Sequence, residues 1–148
     1  MVCAVGLAAC GTTETVALRL SADPACDSTH FSAIKTLSIE AFAQAGACKI
    51  AHSCVFNIDA QDEFDLEDAL RSAGDVLLEL DPAEVQTISV NGRPRNDCFP
   101  RQDDSNEPTV CGSANLTAST TAKGQLDVLL QCENLDDNLC IESLDLCP

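Results

Sequence analysis

A chain of 148 residues with 24 acidic against eight basic side chains carries a formal charge of −16. Such a charge repels phosphate backbones and anionic lipid surfaces, and it excludes nucleic acid as a partner. Five Phe, no Trp and no Tyr leave Leu, Ile, Val and Ala to build one core in one domain, with few aromatic platforms for sugars or bases. No run reaches the ~18 apolar residues that a spanning helix needs.

The chain opens on an apolar run, Val2 to Leu7, followed by Ala8-Ala9-Cys10-Gly11, which reads as the tail of a secretory signal cut at a small-residue site. Leu7-Ala8-Ala9-Cys10 resembles the lipobox of bacterial lipoproteins. The resemblance implies that residues 1–9 are a discarded signal remnant and that Cys10 becomes the acylated first residue and holds the protein to a membrane. It also implies the outer membrane, because Gly11 stands where an inner-membrane lipoprotein carries Asp. No Lys or Arg precedes the run, so the true start is expected upstream of Met1. Residues 10–14 are then a lipidated tether; four extended residues reach about 14 Å, which keeps the folded part close to the bilayer.

Residues 15–132 read as a β-sandwich domain. Thr15 to Leu20 alternates with Val16, Leu18 and Leu20 inward, the half-buried strand pattern. After a loop through Asp23-Pro24 and Asp27-Ser28-Thr29, residues 34–43 predict a second strand with Leu37, Ile39 and Ala41 on one face and Thr36, Ser38 and Glu40 on the other. Cys48 to Ile58 admits two readings: one straight strand, or a loop closed by a Cys48–Cys54 bridge with a strand beginning at Val55. The loop is preferred, since it spares His52 an apolar burial. Asp65 to Gly74 has helical spacing at Leu66, Ala69, Leu70 and Ala73, with Asp65 as cap and Gly74 as stop. Asp75 to Leu80 reads as a strand, Asp81-Pro82-Ala83-Glu84 as a capped turn, and Ile88 and Val90 as a strand ended by the turn dipeptide Asn91-Gly92. Residues 93–108, with three prolines, predict a long loop. Strands over 109–118 and 125–132 follow, joined as a hairpin by Ser119 to Gly124.

Residues 133–148 form an acidic tail pinned by Cys140 and Cys147. About seven short strands and one helix suit a mainly β, two-sheet antiparallel sandwich in the immunoglobulin or transthyretin style. This pattern of lipobox, strands, scattered cysteines and Val110-Cys111-Gly112 resembles exported lipoproteins of Gram-negative bacteria to which no activity is attached.

Ten cysteines are present. With Cys3 in the discarded segment and Cys10 acylated, an even set remains: Cys26, Cys48, Cys54, Cys98, Cys111, Cys132, Cys140 and Cys147. No Cys-x-x-Cys spacing points to zinc or redox chemistry, so disulfides in an oxidising compartment are expected. Eight cysteines permit 105 pairings. Short closures favour Cys48 with Cys54, Cys140 with Cys147 and Cys111 with Cys132, leaving Cys26 for Cys98.

Two histidines limit acid–base chemistry. Asp27 and Ser32 lie near His30, yet no ordered nucleophile motif surrounds them, so no catalytic residue is assigned; a small hydrolase centred on His30 is the rival class. Asp59, Asp62, Glu63 and Asp65 crowd as weak calcium candidates, suggesting a calcium-dependent adhesion-type module. They lack the glycine of the helix-loop-helix calcium pattern, and such a run more often forms a solvated face. Arg93, Arg95 and Arg101 are three of five arginines and form a candidate partner site for a carboxylate or phosphate, or pair with Asp97, Asp103 and Asp104 beside them. No metal and no cofactor are expected. The function implied is a lipid-anchored, extracytoplasmic binding or structural protein of the cell envelope, with an envelope protein as a possible partner.

Overall fold

The computed structural model describes residues 14–43, 48–74, 77–81, 84–143 and 146–147; the signal remnant, Cys10 and most of the tether lie outside them. In chain order the elements are β1 Glu14–Ala22, α1 Ser28–Ser32, β2 Thr36–Phe42, β3 Lys49–Phe56, α2 Glu63–Ala73, β4 Leu77–Leu80, β5 Thr87–Arg93, β6 Val110–Asn115, α3 Ala118–Lys123 and β7 Gln125–Leu130. They form two sheets, ordered β4-β1-β7 and β3-β2-β5-β6. The expected mainly β sandwich is therefore the fold.

The core lies between the sheets and follows the period of two. Val16, Leu18, Leu20, Leu126, Val128 and Leu130 come from one sheet, and Leu37, Ile39, Ala41, Ile88, Val90 and Val110 from the other. Each Val, Leu or Ile of this set, fully buried, contributes about 1.5–3 kcal/mol. On one flank the sheets meet directly: Cys111 N–H donates to Gln131 O at 3.0 Å and Gln131 N–H to Cys111 O at 2.8 Å. The opposite flank is plugged by α2, which packs on β1 and β3 and buries Leu66 and Leu70. Glu67 of α2 also accepts the Leu20 N–H of β1 at 2.5 Å, which satisfies a backbone group beyond the end of the β4 pairing.

Several expectations are corrected. The sandwich is not wholly antiparallel, because β1 runs parallel to β7 from Ala17 beside Gln125 to Ala22 beside Leu130. Residues 49–56 are a strand throughout, since β2 offers a ladder from Thr36 opposite Phe56 to Phe42 opposite Lys49, broken only by one register shift at Ile50; the preferred loop does not form. Asn91-Gly92 is no turn. β5 continues through it to Arg93, because Ile34 packs on the bare Gly92 Cα, where a Cβ would stand 2.8 Å from Ile34 Cδ1.

No hairpin joins the last two strands, which sit in different sheets and are linked by α3. α2 begins two residues before Asp65: Asp62 is the N-cap, taking the Asp65 N–H, and Gly74 closes the helix at φ 82° as expected. α1 was not legible as a helix; Asp27 caps it by accepting Thr29 and His30 N–H groups.

Gly112 supplies a prediction. It lies on β6 where that strand crosses β7, and a Cβ there would stand 2.3 Å from the Leu129 carbonyl oxygen. Backbone cannot yield as a side-chain tip can. Gly112→Ala is expected to cost at least the ~1–3 kcal/mol of an overpacked core site, read as a fall in melting temperature; an unchanged melt would place the two strands further apart.

Candidate functional site

The sheet face turned away from the core carries the chemistry. Alternation puts Thr36, Ser38 and Glu40 of β2 there, beside Ser89, Asn91 and Arg93 of β5 and His52 and Cys54 of β3. Polar residues on the back of an antiparallel sheet ordinarily face water. Here every residue of β2 and β5 is buried, because the 94–108 loop and the tail fold back over the face as a third layer.

Three disulfides clamp that layer down: Cys54–Cys98 to the loop, and Cys111–Cys140 and Cys48–Cys147 to the tail. The fourth, Cys26–Cys132, ties the entry to α1 to the end of β7. All eight cysteines are paired as expected, but none of the four anticipated pairings occurs. Cys48 and Cys54 lie on one extended strand and cannot meet, and Cys140 and Cys147 are drawn to different strands of the sheet beneath them.

Beneath the roof lies a charged cluster. Arg93 is wholly buried; it donates to Asn106 O at 2.7 Å and pairs with the Glu142 carboxylate of the tail. Glu40, also buried, takes Lys49 Nζ at 3.5 Å and the Ser143 N–H at 3.3 Å. The Ile141 carbonyl accepts Ser89 Oγ at 2.6 Å and Asn91 Nδ2 at 3.0 Å. Phe99 closes the top, its ring 5.3 Å from Lys49 Nζ and tilted against the His52 ring. Two acidic and two basic groups thus neutralise one another, three of them buried and Glu142 at the edge of the cluster, which charges removed from water require.

Burial raises the Glu40 carboxyl above its ordinary range, against the pull of Lys49, the Ser143 N–H and Arg93. His52 Nε2 stands 3.8 Å from Glu40 Oε1 without a hydrogen bond. Burial, reinforced by Lys49 and Arg93, holds it below its ordinary value of 6.5, so it is neutral at neutral pH. The unfolded chain therefore takes up this proton before the native one does. The His52 contribution to stability is full above pH 6.5 and lost as pH falls through that value towards the native pKa. Glu40 acts oppositely, the native state binding its proton first. Urea unfolding at pH 7 and about 5.5 is expected to show His52→Gln removing the acid-side loss; an unaltered pH profile in that variant would exclude His52 as its source.

The three loop arginines are not brought together. Arg93 lies inside; Arg95 donates from Nε to Ser105 O at 3.1 Å and Arg101 pairs with Asp97 at 3.2 Å, both near the surface. The buried Asn106, which no motif marked, organises the loop: its Nδ2 donates to Asp97 O and Phe99 O, and its Oδ1 accepts the Arg95 N–H.

The calcium candidates disperse. Asp62 caps α2, Asp65 takes the Gln61 N–H at 2.7 Å, Glu63 opens the helix, and Asp59 is exposed on the preceding segment. No metal-holding group of three such side chains occurs among the described residues. At α1, His30 and Asp27 close a capping box and the Ser32 hydroxyl donates to Thr29 O at 3.2 Å, so Ser32 and His30 share no hydrogen bond.

Outside the roof, an open groove of about 550 Å3 runs between the end of β3 and α2. It is lined by Val55, Phe56, Ile58, Ala69 and Ala73 with Asp59, Asp65 and Asp68.

Fold and site together define a disulfide-stapled β-sandwich whose second sheet is sealed under its own loop and tail. The chain matches no family model, no curated protein and no solved structure. The four bridges fit an extracytoplasmic domain, and no helix among the described residues is long and apolar enough to cross a membrane.

Proposed function

We propose that this is a binding or structural protein of the cell envelope, held to the outer membrane by an acyl group on Cys10. One observation carries the reading: every cysteine from Cys26 to Cys147 is consumed in a bridge within the domain. The fold therefore makes no demand on the lipobox cysteine, which stays available for acylation. β1 begins at Glu14, so the tether is short and the sandwich stands against the bilayer. Binding is favoured over catalysis because the buried charged groups are spent on holding the roof.

Intact mass and lipid labelling of the protein from its native membrane, beside Cys10→Ser, test the anchor. The wild type is expected to partition with membranes and carry label, and the variant to do neither; a soluble, unlabelled wild type would end the lipoprotein reading.

A further inference from the structure

Among the described residues β3 is an edge strand, and β2 is its one neighbouring strand. Its outer side is paired only at the start, where the tail runs parallel past Lys49 and Cys147 N–H donates to Lys49 O at 2.9 Å. From Ile50 to Phe56 the outer backbone groups have no strand beside them among the described residues. Edges of this kind are ordinarily protected by charges, proline or a bulge. Ala51-His52-Ser53-Cys54-Val55-Phe56 carries no Lys, Arg, Asp, Glu or proline, and the one register shift falls at the start of the strand, where Ile50 is the extra residue between the Ala41–Ala51 and Phe42–Lys49 pairs. The other flank of the sheet is closed by the Cys111–Gln131 pairing.

The edge leads into the groove beside α2. Small side chains, Ala69, Ser72 and Ala73, leave it open, and Phe56, which lines it, is 51% exposed. Asp59, Asp65 and Asp68 stand along it, Asp65 also taking the Gln61 N–H and Asp68 pairing with Arg71. A second copy of this chain is a poor occupant, since two molecules of charge −16 each repel one another.

We propose that the β3 edge and its groove accept, by strand addition, an extended segment of another protein that alternates basic and apolar residues. The backbone of the segment pairs with Ile50 to Phe56, its apolar side chains enter the groove, and its cations meet the aspartates. The inference rests on reading the domain as a binding module, but not on the lipid anchor, so either can fail alone.

The probe is a blocked peptide of alternating lysine and valine long enough to span β3, added to the full oxidised chain. Slowed amide exchange over Ile50–Phe56 is expected, with an affinity that falls as salt rises. Asp59→Asn with Asp68→Asn should weaken it about tenfold, the sum of two exposed ion pairs, with an unchanged melt as control for folding. The same peptide N-methylated on its pairing edge should not bind.

No protection at saturating peptide, equal binding of a glutamate–valine peptide, or undiminished binding after N-methylation would overturn the proposal. So would dimerisation through β3 without peptide, which would make a second copy the occupant.

Discussion

Arg93→Met is expected to destabilise the protein by about 3–5 kcal/mol, the cost of leaving one partner of a buried ion pair alone. The guanidinium is wholly buried, holding Asn106 O on one side and the Glu142 carboxylate on the other. Its loss leaves a half-buried carboxylate and a carbonyl without a donor, and it unhooks both layers of the roof at once. For a chain of this size that corresponds to a fall in melting temperature on the order of 10 °C.

The double variant Arg93→Met with Glu142→Leu is expected to recover part of the loss, since it removes both charges together. Arg95→Gln and Arg101→Gln, on exposed and locally paired arginines, should stay within about 0.5 kcal/mol of wild type. If Arg93→Met melts with the wild type, the roof is held by its disulfides alone and the ion pair is incidental.

Removing a disulfide is expected to cost as much, and the bridges should rank by the loop they close. Cys26–Cys132 and Cys48–Cys147 span 106 and 99 residues, against 44 for Cys54–Cys98 and 29 for Cys111–Cys140. The chain-entropy estimate gives about 4.7 kcal/mol for loops on the order of 100 residues and about 3.6 kcal/mol for the shortest. Cys26→Ser with Cys132→Ser should therefore be among the most damaging pairs, while Cys111→Ser with Cys140→Ser should mainly loosen the tail. Equilibrium unfolding measures the costs, and non-reducing peptide mapping checks the pairs directly. Fragments joined as Cys48–Cys54 or Cys140–Cys147 would contradict the third layer itself, because that layer exists only if the tail cysteines reach β3 and β6.

The contrast between Arg93 and its neighbours shows where local reading stops. In sequence, Arg93, Arg95 and Arg101 are alike: three cations in a proline-containing stretch with acids nearby. Strand alternation separates them, because β5 runs past Asn91-Gly92 and carries Arg93 onto the covered face, while Arg95 and Arg101 lie beyond the strand. The turn signal at Asn91-Gly92 hid this. That dipeptide is favoured in turns for its conformational freedom, yet here the glycine serves to let Ile34 approach.

Period-two alternation is a property of a few consecutive residues, so the inward sets Val16-Leu18-Leu20, Leu37-Ile39-Ala41 and Leu126-Val128-Leu130 were legible from the chain alone. So were the sandwich class, the Gly74 stop of α2 and an even set of bridged cysteines. Which strand lies beside which, which cysteine meets which, and whether the polar face of β2 and β5 meets water depend on contacts between distant segments. No local signal marks Glu142 as the partner of Arg93 or Cys147 as the partner of Cys48. Those pairings arise when a tail with the chain's acidity but also the buried Ile141 and two cysteines settles on a sheet face that offers Arg93, Lys49 and two cysteines in return. Burial of that face is a tertiary outcome, decided by the complementarity of two surfaces and not by the pattern of either.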